Sequence, residues 1–143
     1  MPYRFLDDAP TSDVGFIASG PTLAECFKAA AAATLEVMLA NPESLQPRER
    51  HTFHVEGAGA DLALLGLLEE LIYHKDAHSL FLRISDVQVR KDHQRYIVEA
   101  TAAGETIDPS RHRLAADVKA VTMHRLGIQQ VRDGWEATVV LDI

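Results

Sequence analysis

Aspartates collect at two places in this 143-residue chain: Asp7, Asp8 and Asp13 in an early loop, and Asp142 beside the terminal carboxylate of Ile143. A hard cation such as Ca²⁺ or Mg²⁺ takes carboxylate and carbonyl oxygens, not thiolate or imidazole. Two acidic clusters far apart in sequence could meet at one edge of a sheet and supply such a donor set. Acidic loop residues are more often simply solvated, so the residue types leave two readings of Asp142 open. In one it pairs across strands with Arg125, an exposed contact worth well under about 1 kcal/mol. In the other it is a cation ligand.

The histidines offer less. His51 and His54 are three apart on an alternating segment and should face opposite sides of a strand, so a shared metal site is not expected there. His74 and His78 have i, i+4 spacing at a helix end, a weak signal for zinc. The chain has no glycine-rich phosphate loop, no Gly-x-Ser-x-Gly elbow and no telling Cys–His pair. The glycines of "EGAGAD" merely join a strand to a helix. A small metal-dependent hydrolase is disfavoured, because no base or nucleophile stands beside the acidic cluster in a recognisable pattern.

The formal net charge of -7 argues against strong direct binding to nucleic acid or to an anionic membrane. It leaves room for a cation or a basic partner. Apolar residues make up 47%, ordinary for a globular domain, and the length suits a single domain over residues 1–143 with its own core. Cys26 is the one cysteine; no disulfide scheme is expected, which suits a reducing compartment. No secretory signal or membrane span is expected, the latter needing roughly 20 apolar residues, and a cytoplasmic location follows.

The elements that would position these groups are legible in outline. "YRFL" and "VGFIASG" read as strands around "DDAPTSD". "PTLAECFKAAAAATLEVMLANP" carries a helix, ended by Asn41-Pro42, with Thr22 and Glu25 as capping box and an apolar stripe through Leu23, Cys26, Phe27, Ala30, Thr34, Val37 and Met38. "ERHTFHVEGAG" alternates as a strand. Asp61 is placed to cap a second helix, whose core stripe is Leu64, Leu65, Leu68, Leu71 and Ile72, with His74 and Lys75 in its last turn. Strands follow: "SLFLRISDVQVR", whose apolar phase slips at Ser85-Asp86 and implies a bulge, then "RYIVEATAAGE", "ADVKAVTMHRLGIQQV" and "WEATVVLDI". The order β-β-α-β-α-β-β-β-β predicts an α+β domain, two helices packed on a mainly antiparallel sheet.

Asp133-Gly134 is a strong two-residue hairpin signal of type I′. With those residues as the loop, Arg132 pairs with Trp135, Arg125 lies opposite Asp142, and His124 lies opposite Ile143. Trp135, Ala137, Val139 and Leu141 then share the core face, and Asp142 points to the other.

"YRFLDDAPTSDVGF", "TLAECFKAAAAATLEVM", "LLEELIYHKD" and above all "DVKAVTMHRLGIQQVRDGWEATVVLDI" together resemble the archease family, in the right order over essentially the whole chain. The resemblance implies a non-catalytic protein cofactor of the tRNA-splicing RNA ligase, which joins 3′-phosphate or cyclic-phosphate ends to 5′-hydroxyl ends. Such a protein would promote guanylylation of the ligase and its multiple turnover, with GTP and Mn²⁺ belonging to the ligase. The resemblance also implies a bound divalent cation, calcium in the first place with magnesium or manganese as alternatives, held by Asp13 of the Asp-Val-Gly motif, Asp142 and Ile143. The chain would end at Ile143 because that carboxylate is a ligand. Where the family reads Asp-His-Thr-Ala-Asp, this chain has Ala9-Pro10-Thr11-Ser12-Asp13, so the motif histidine is missing and Asp8 stands in for the first aspartate only if two residues are inserted. Lys119, His124 and Arg125 match the family's terminal motif and are candidates for the site or for the ligase-facing surface, with His112 a weaker one. The alternative function is a chaperone-like protein-interaction module with a purely structural metal.

Overall fold

The computed structural model describes residues 2–9 and 12–143. The first two strands, β1 (Tyr3–Leu6) and β2 (Asp13–Gly20), form an antiparallel pair. Helix α1 (Leu23–Met38) starts where its capping residue places it: the Thr22 hydroxyl accepts the Glu25 N–H at 3.1 Å. Its burial goes beyond one stripe. Ala29, Ala30, Ala31 and Ala33 are all buried along with Cys26, Phe27, Leu35, Val37 and Met38. The alanine run has a packing reason, because α1 touches β2 on one side and β4 (Leu80–Asp92) on the other, and small side chains let a helix lie between two sheets.

A short 3₁₀ turn (Pro42–Ser44) leads to β3 (Glu49–Gly57). Helix α2 (Ala60–His78) follows, and Gly59, not Asp61, occupies its N-cap position. Asp61 instead lies in the first turn, where its Oδ1 accepts the Leu62 N–H at 2.8 Å and its charge suits the helix dipole. The buried stripe of α2 is Ala63, Leu64, Leu67, Leu68, Leu71, Ile72 and Lys75. Leu65 is only half-buried, so Leu67 takes the place expected of it. Lys75 continues the stripe, its aliphatic stem packed in the core.

Strand β4 pairs with β5 (Arg95–Thr106), and the register breaks between Ile84 and Asp86. That is the predicted phase slip: Leu82 and Ile84 before it and Val87 after it are all buried. The final strands are β6 (Ala120–Val121), β7 (Gly127–Val131) and β8 (Gly134–Asp142).

The fold is α+β, as predicted, but the strands divide into two sheets. One has the order β1-β2-β8-β6 with β7 also on β8, and the other the order β3-β5-β4. Every pairing is antiparallel. No helix among the described residues is long and apolar enough to cross a membrane.

The final hairpin departs from its expected register. Val131 pairs with Gly134, so Arg132 and Asp133 form the loop and Gly134 opens β8. Gly134 alone of these has positive φ, at +147°, and a Cβ there would fall 2.2 Å from the Gly20 carbonyl oxygen. The expected I′ turn is therefore replaced by a loop whose glycine is needed in the strand. The ladder also breaks: β7 pairs with β8 from Gly127 to Val131, while β6 pairs Ala120 with Asp142 and Val121 with Leu141. Residues 122–126 bulge between them, with Arg125 at φ 64°. Ala120, not Arg125, lies opposite Asp142, and His124 is an exposed bulge residue and not the cross-strand partner of Ile143. The core face of β8 is as expected, with Ala137, Val139 and Leu141 fully buried.

Candidate functional site

β2 and β8 place the first acidic cluster against the second. Asp13 and Asp142 are direct cross-strand partners, so their side chains emerge side by side on the same sheet face. The next residues tie the chain end down, since the Ile143 N–H donates to the Ser12 carbonyl at 3.0 Å. Ile143 is thereby held next to the pair. On the other side of β8, the Lys119 N–H donates to the Asp142 carbonyl at 2.8 Å. Asp13, Asp142 and Ile143 are each half-buried, and Lys119 is exposed.

Arg125 reaches across this edge to the first loop, its Nη1 lying 3.4 Å from Asp8 Oδ1. The predicted Arg125–Asp142 pair is thus replaced by Arg125–Asp8, because the 122–126 bulge carries the arginine off the ladder. Asp8, Asp13, Asp142, Ile143, Lys119 and Arg125 all belong to this end of the sheet. Of the departures from the family motif, Ala9 lies next to Asp8 in the loop, while Pro10 lies outside the described residues.

The donor set at this edge is all oxygen, which fits a hard cation. Among the described residues no three His, Cys, Asp or Glu side chains are grouped to hold a metal ion. The edge itself pairs two such side chains, Asp13 and Asp142, with Ile143 beside them. Like charges directly opposite across a ladder destabilise it unless a counter-charge is supplied. The ion pairs formed among the described residues engage Asp8 but neither Asp13 nor Asp142.

Sequence reasoning missed two charged clusters whose members are distant along the chain. Glu105 is buried, and its carboxylate accepts from the Gln46 amide at 2.8 Å, from Arg48 Nε at 3.2 Å, from Arg111, and from His112 Nε2 at 3.0 Å. His112 Nδ1 accepts the Asp108 N–H at 2.8 Å, so Nε2 carries the proton given to Glu105. His112 is therefore a buried packing residue and not a member of the acidic edge. Lys75 is the second case. Its ammonium donates to Asp117 at 2.5 Å and to the Val118 carbonyl at 2.7 Å, and lies 2.7 Å from Asp76. Burial disfavours its charge, but its hydrogen bonds to Asp117 and Asp76 outweigh that and hold its pKa above the ordinary lysine value. Nothing local in the sequence marks either cluster.

Two antiparallel sheets and two helices, with Asp13 and Asp142 brought together at one end of a sheet, define a small α+β protein. The sequence profile described as the Archease protein family (MTH1598/TM1083) matches residues 3–143. The chain is 35% identical over 134 residues to the protein archease of Pyrococcus abyssi, covering 93% of this chain and 94% of that one. It is 30% identical over 142 residues to the protein archease of Methanosarcina acetivorans, covering 99% and 95%. The solution structure of Methanobacterium thermoautotrophicum protein 1598 superposes with a TM-score of 0.85 at 29% identity, covering 99% of each chain. The crystal structure of a Thermotoga maritima archease, described as a possible chaperone, shares the fold with a TM-score of 0.64 at 16% identity, over 94% of this chain and 93% of that one. This chain belongs to the archease family.

Proposed function

We propose that this chain is a non-catalytic activator of the tRNA-splicing RNA ligase, promoting ligase guanylylation and multiple turnover, and that its acidic edge holds a divalent cation. The observation that carries the reading is the pairing of Asp13 with Asp142 beside the anchored Ile143 carboxylate. These are the residues from which the family resemblance builds its cation site, and β2 and β8 bring them together from opposite ends of the chain.

Calcium suits this all-oxygen set, with magnesium or manganese as alternatives. When bound, the ion supplies the positive charge that lets two facing carboxylates and a chain terminus share one edge. The chain's own residues do the rest. The Ile143–Ser12 hydrogen bond fixes the terminus, the Lys119–Asp142 bond fixes the strand end, and Arg125 ties the first loop to the 122–126 bulge. Exposed Lys119, His124 and Arg125 offer cationic or hydrogen-bonding groups to the ligase. GTP and Mn²⁺ are substrates and cofactors of the ligase, not of this protein.

Multiple-turnover RNA joining by the cognate ligase, with wild type beside Asp142→Ala, tests the reading. Strong stimulation by wild type that Asp142→Ala lacks is the expected result. No stimulation by wild type would overturn the activator role and put a chaperone-like module in its place.

A further inference from the structure

We propose that His51, His74 and His78 form a second metal site, for an imidazole-preferring divalent transition ion, separate from the acidic edge and independent of the ligase reading. His74 and His78 share a face of α2 by their i, i+4 spacing, and α2 packs on β3, which carries His51. The His74 ring centre lies 5.0 Å from that of His51 and 5.4 Å from that of His78. Imidazoles bound to one tetrahedral ion at about 2.0–2.1 Å per nitrogen have ring centres about 5 Å apart.

The surroundings favour occupancy. His74 Nδ1 is buried without a hydrogen-bond partner, the one such side-chain atom among the described residues. A buried polar atom left unpaired forfeits the hydrogen bonds it made to water, and donation of that lone pair to a metal removes the penalty. Phe53 stacks on His74 at 5.4 Å, and Tyr73 sets its edge against both His74 and His78 at 5.3 and 5.6 Å. Glu70 lies 3.7 Å from His74 Nε2 and Glu49 lies 3.5 Å from His51 Nε2, placing negative charge beside the cluster.

No three of these groups stand at ligand geometry at once in the described arrangement. Closure needs rotation of His51, whose side chain is 30% exposed, and of the exposed His78 about a His74 clamped by Phe53. Imidazole ligands select Zn²⁺, Ni²⁺ or Cu²⁺ over calcium, which makes the two sites separable by metal.

Calorimetric titration of the untagged, chelator-stripped full chain with Zn²⁺, Ni²⁺ and Ca²⁺ separately tests the site, using wild type, His51→Gln, His78→Gln and Asp142→Ala. His78 is exposed and His51 half-buried at the surface, and glutamine keeps a polar side chain at each, so each variant should keep the wild-type circular dichroism spectrum. The expected result is one equivalent of Zn²⁺ or Ni²⁺ bound with micromolar Kd by wild type and Asp142→Ala. Each histidine variant should bind at least about tenfold more weakly. Absence of Zn²⁺ and Ni²⁺ binding by wild type would overturn the proposal. So would affinity that is unchanged in His78→Gln and lost in Asp142→Ala, because the ion would then sit on the acidic edge.

Discussion

Glu105 and the Asp13–Asp142 pair both bring carboxylates into the folded protein, but only Glu105 comes with its counter-charges. Arg48, Arg111, His112 and the Gln46 amide surround it, so the chain satisfies that carboxylate by itself. Asp13 and Asp142 face each other across a ladder with Ile143 tied down beside them. A buried carboxylate with every lone pair engaged reads as a strut of the fold. Facing carboxylates at a half-exposed edge read as a demand for something from outside. The surrounding geometry separates the two roles; the residue type does not.

Breaking the self-sufficient cluster should have the largest effect. Glu105→Ala removes the acceptor from a buried His112 and from two arginines, and should destabilise the fold by about 2–4 kcal/mol. A loss of that size corresponds to a Tm lower by roughly 5–15 °C in a domain of this length, measurable by thermal unfolding, with ligase stimulation retained below the transition.

The same group sets part of the acid limb. Burial pushes the Glu105 carboxyl up, but the Gln46 amide, His112 and Arg111 outweigh it and hold the carboxyl at about 2, against an ordinary 4.5. The unfolded chain takes up the proton first, so this stabilisation is complete above about pH 4.5 and is lost as the pH falls toward 2. Tm followed against pH should show the gap between wild type and Glu105→Gln narrowing over that window. A constant gap would mean that Glu105 is not held in its charged form.

Changes at the acidic edge should spare the fold. Extending the chain by a few residues past Ile143 replaces the terminal carboxylate with a peptide group, and should weaken Ca²⁺ affinity by about tenfold or more by calorimetry; equal affinity would remove that carboxylate from the ligand set. Smallest in stability is Asp142→Asn. It relieves a like-charge contact and should leave the metal-free fold unchanged or more stable by up to about 1 kcal/mol, while Ca²⁺ binding falls. A large loss of stability would place Asp142 with Glu105 as a strut.

Much of this architecture is legible from local pattern. The Thr22 cap, the Ser85-Asp86 bulge and the core face of β8 each follow from a few adjacent residues. The partition into two sheets was not legible, because alternation reveals strands but not their partners. The β7–β8 register differs from the expected one by two positions, Trp135 facing Gln130 and not Arg132, since Gly134 serves the strand and not the loop. The 122–126 bulge leaves no apolar signature, and with it went the partner of Arg125. Asp13 opposite Asp142 could be named only through a family resemblance, and the clusters around Glu105 and Lys75 are completed by Gln46, Arg48 and Asp117, which only long-range packing brings in.

Lys75 has a consequence for communication within the molecule. From the last turn of α2 its ammonium grips Asp117 and the Val118 carbonyl, and the next residue, Lys119, donates its amide to the Asp142 carbonyl. The helix that carries His74 and His78 is thus spliced by an unbroken run of short hydrogen bonds to the strand that carries the acidic edge. Whatever coupling free energy this connection transmits must be felt equally at both ends, so that a ligand settling at one would retune affinity at the other by the same factor.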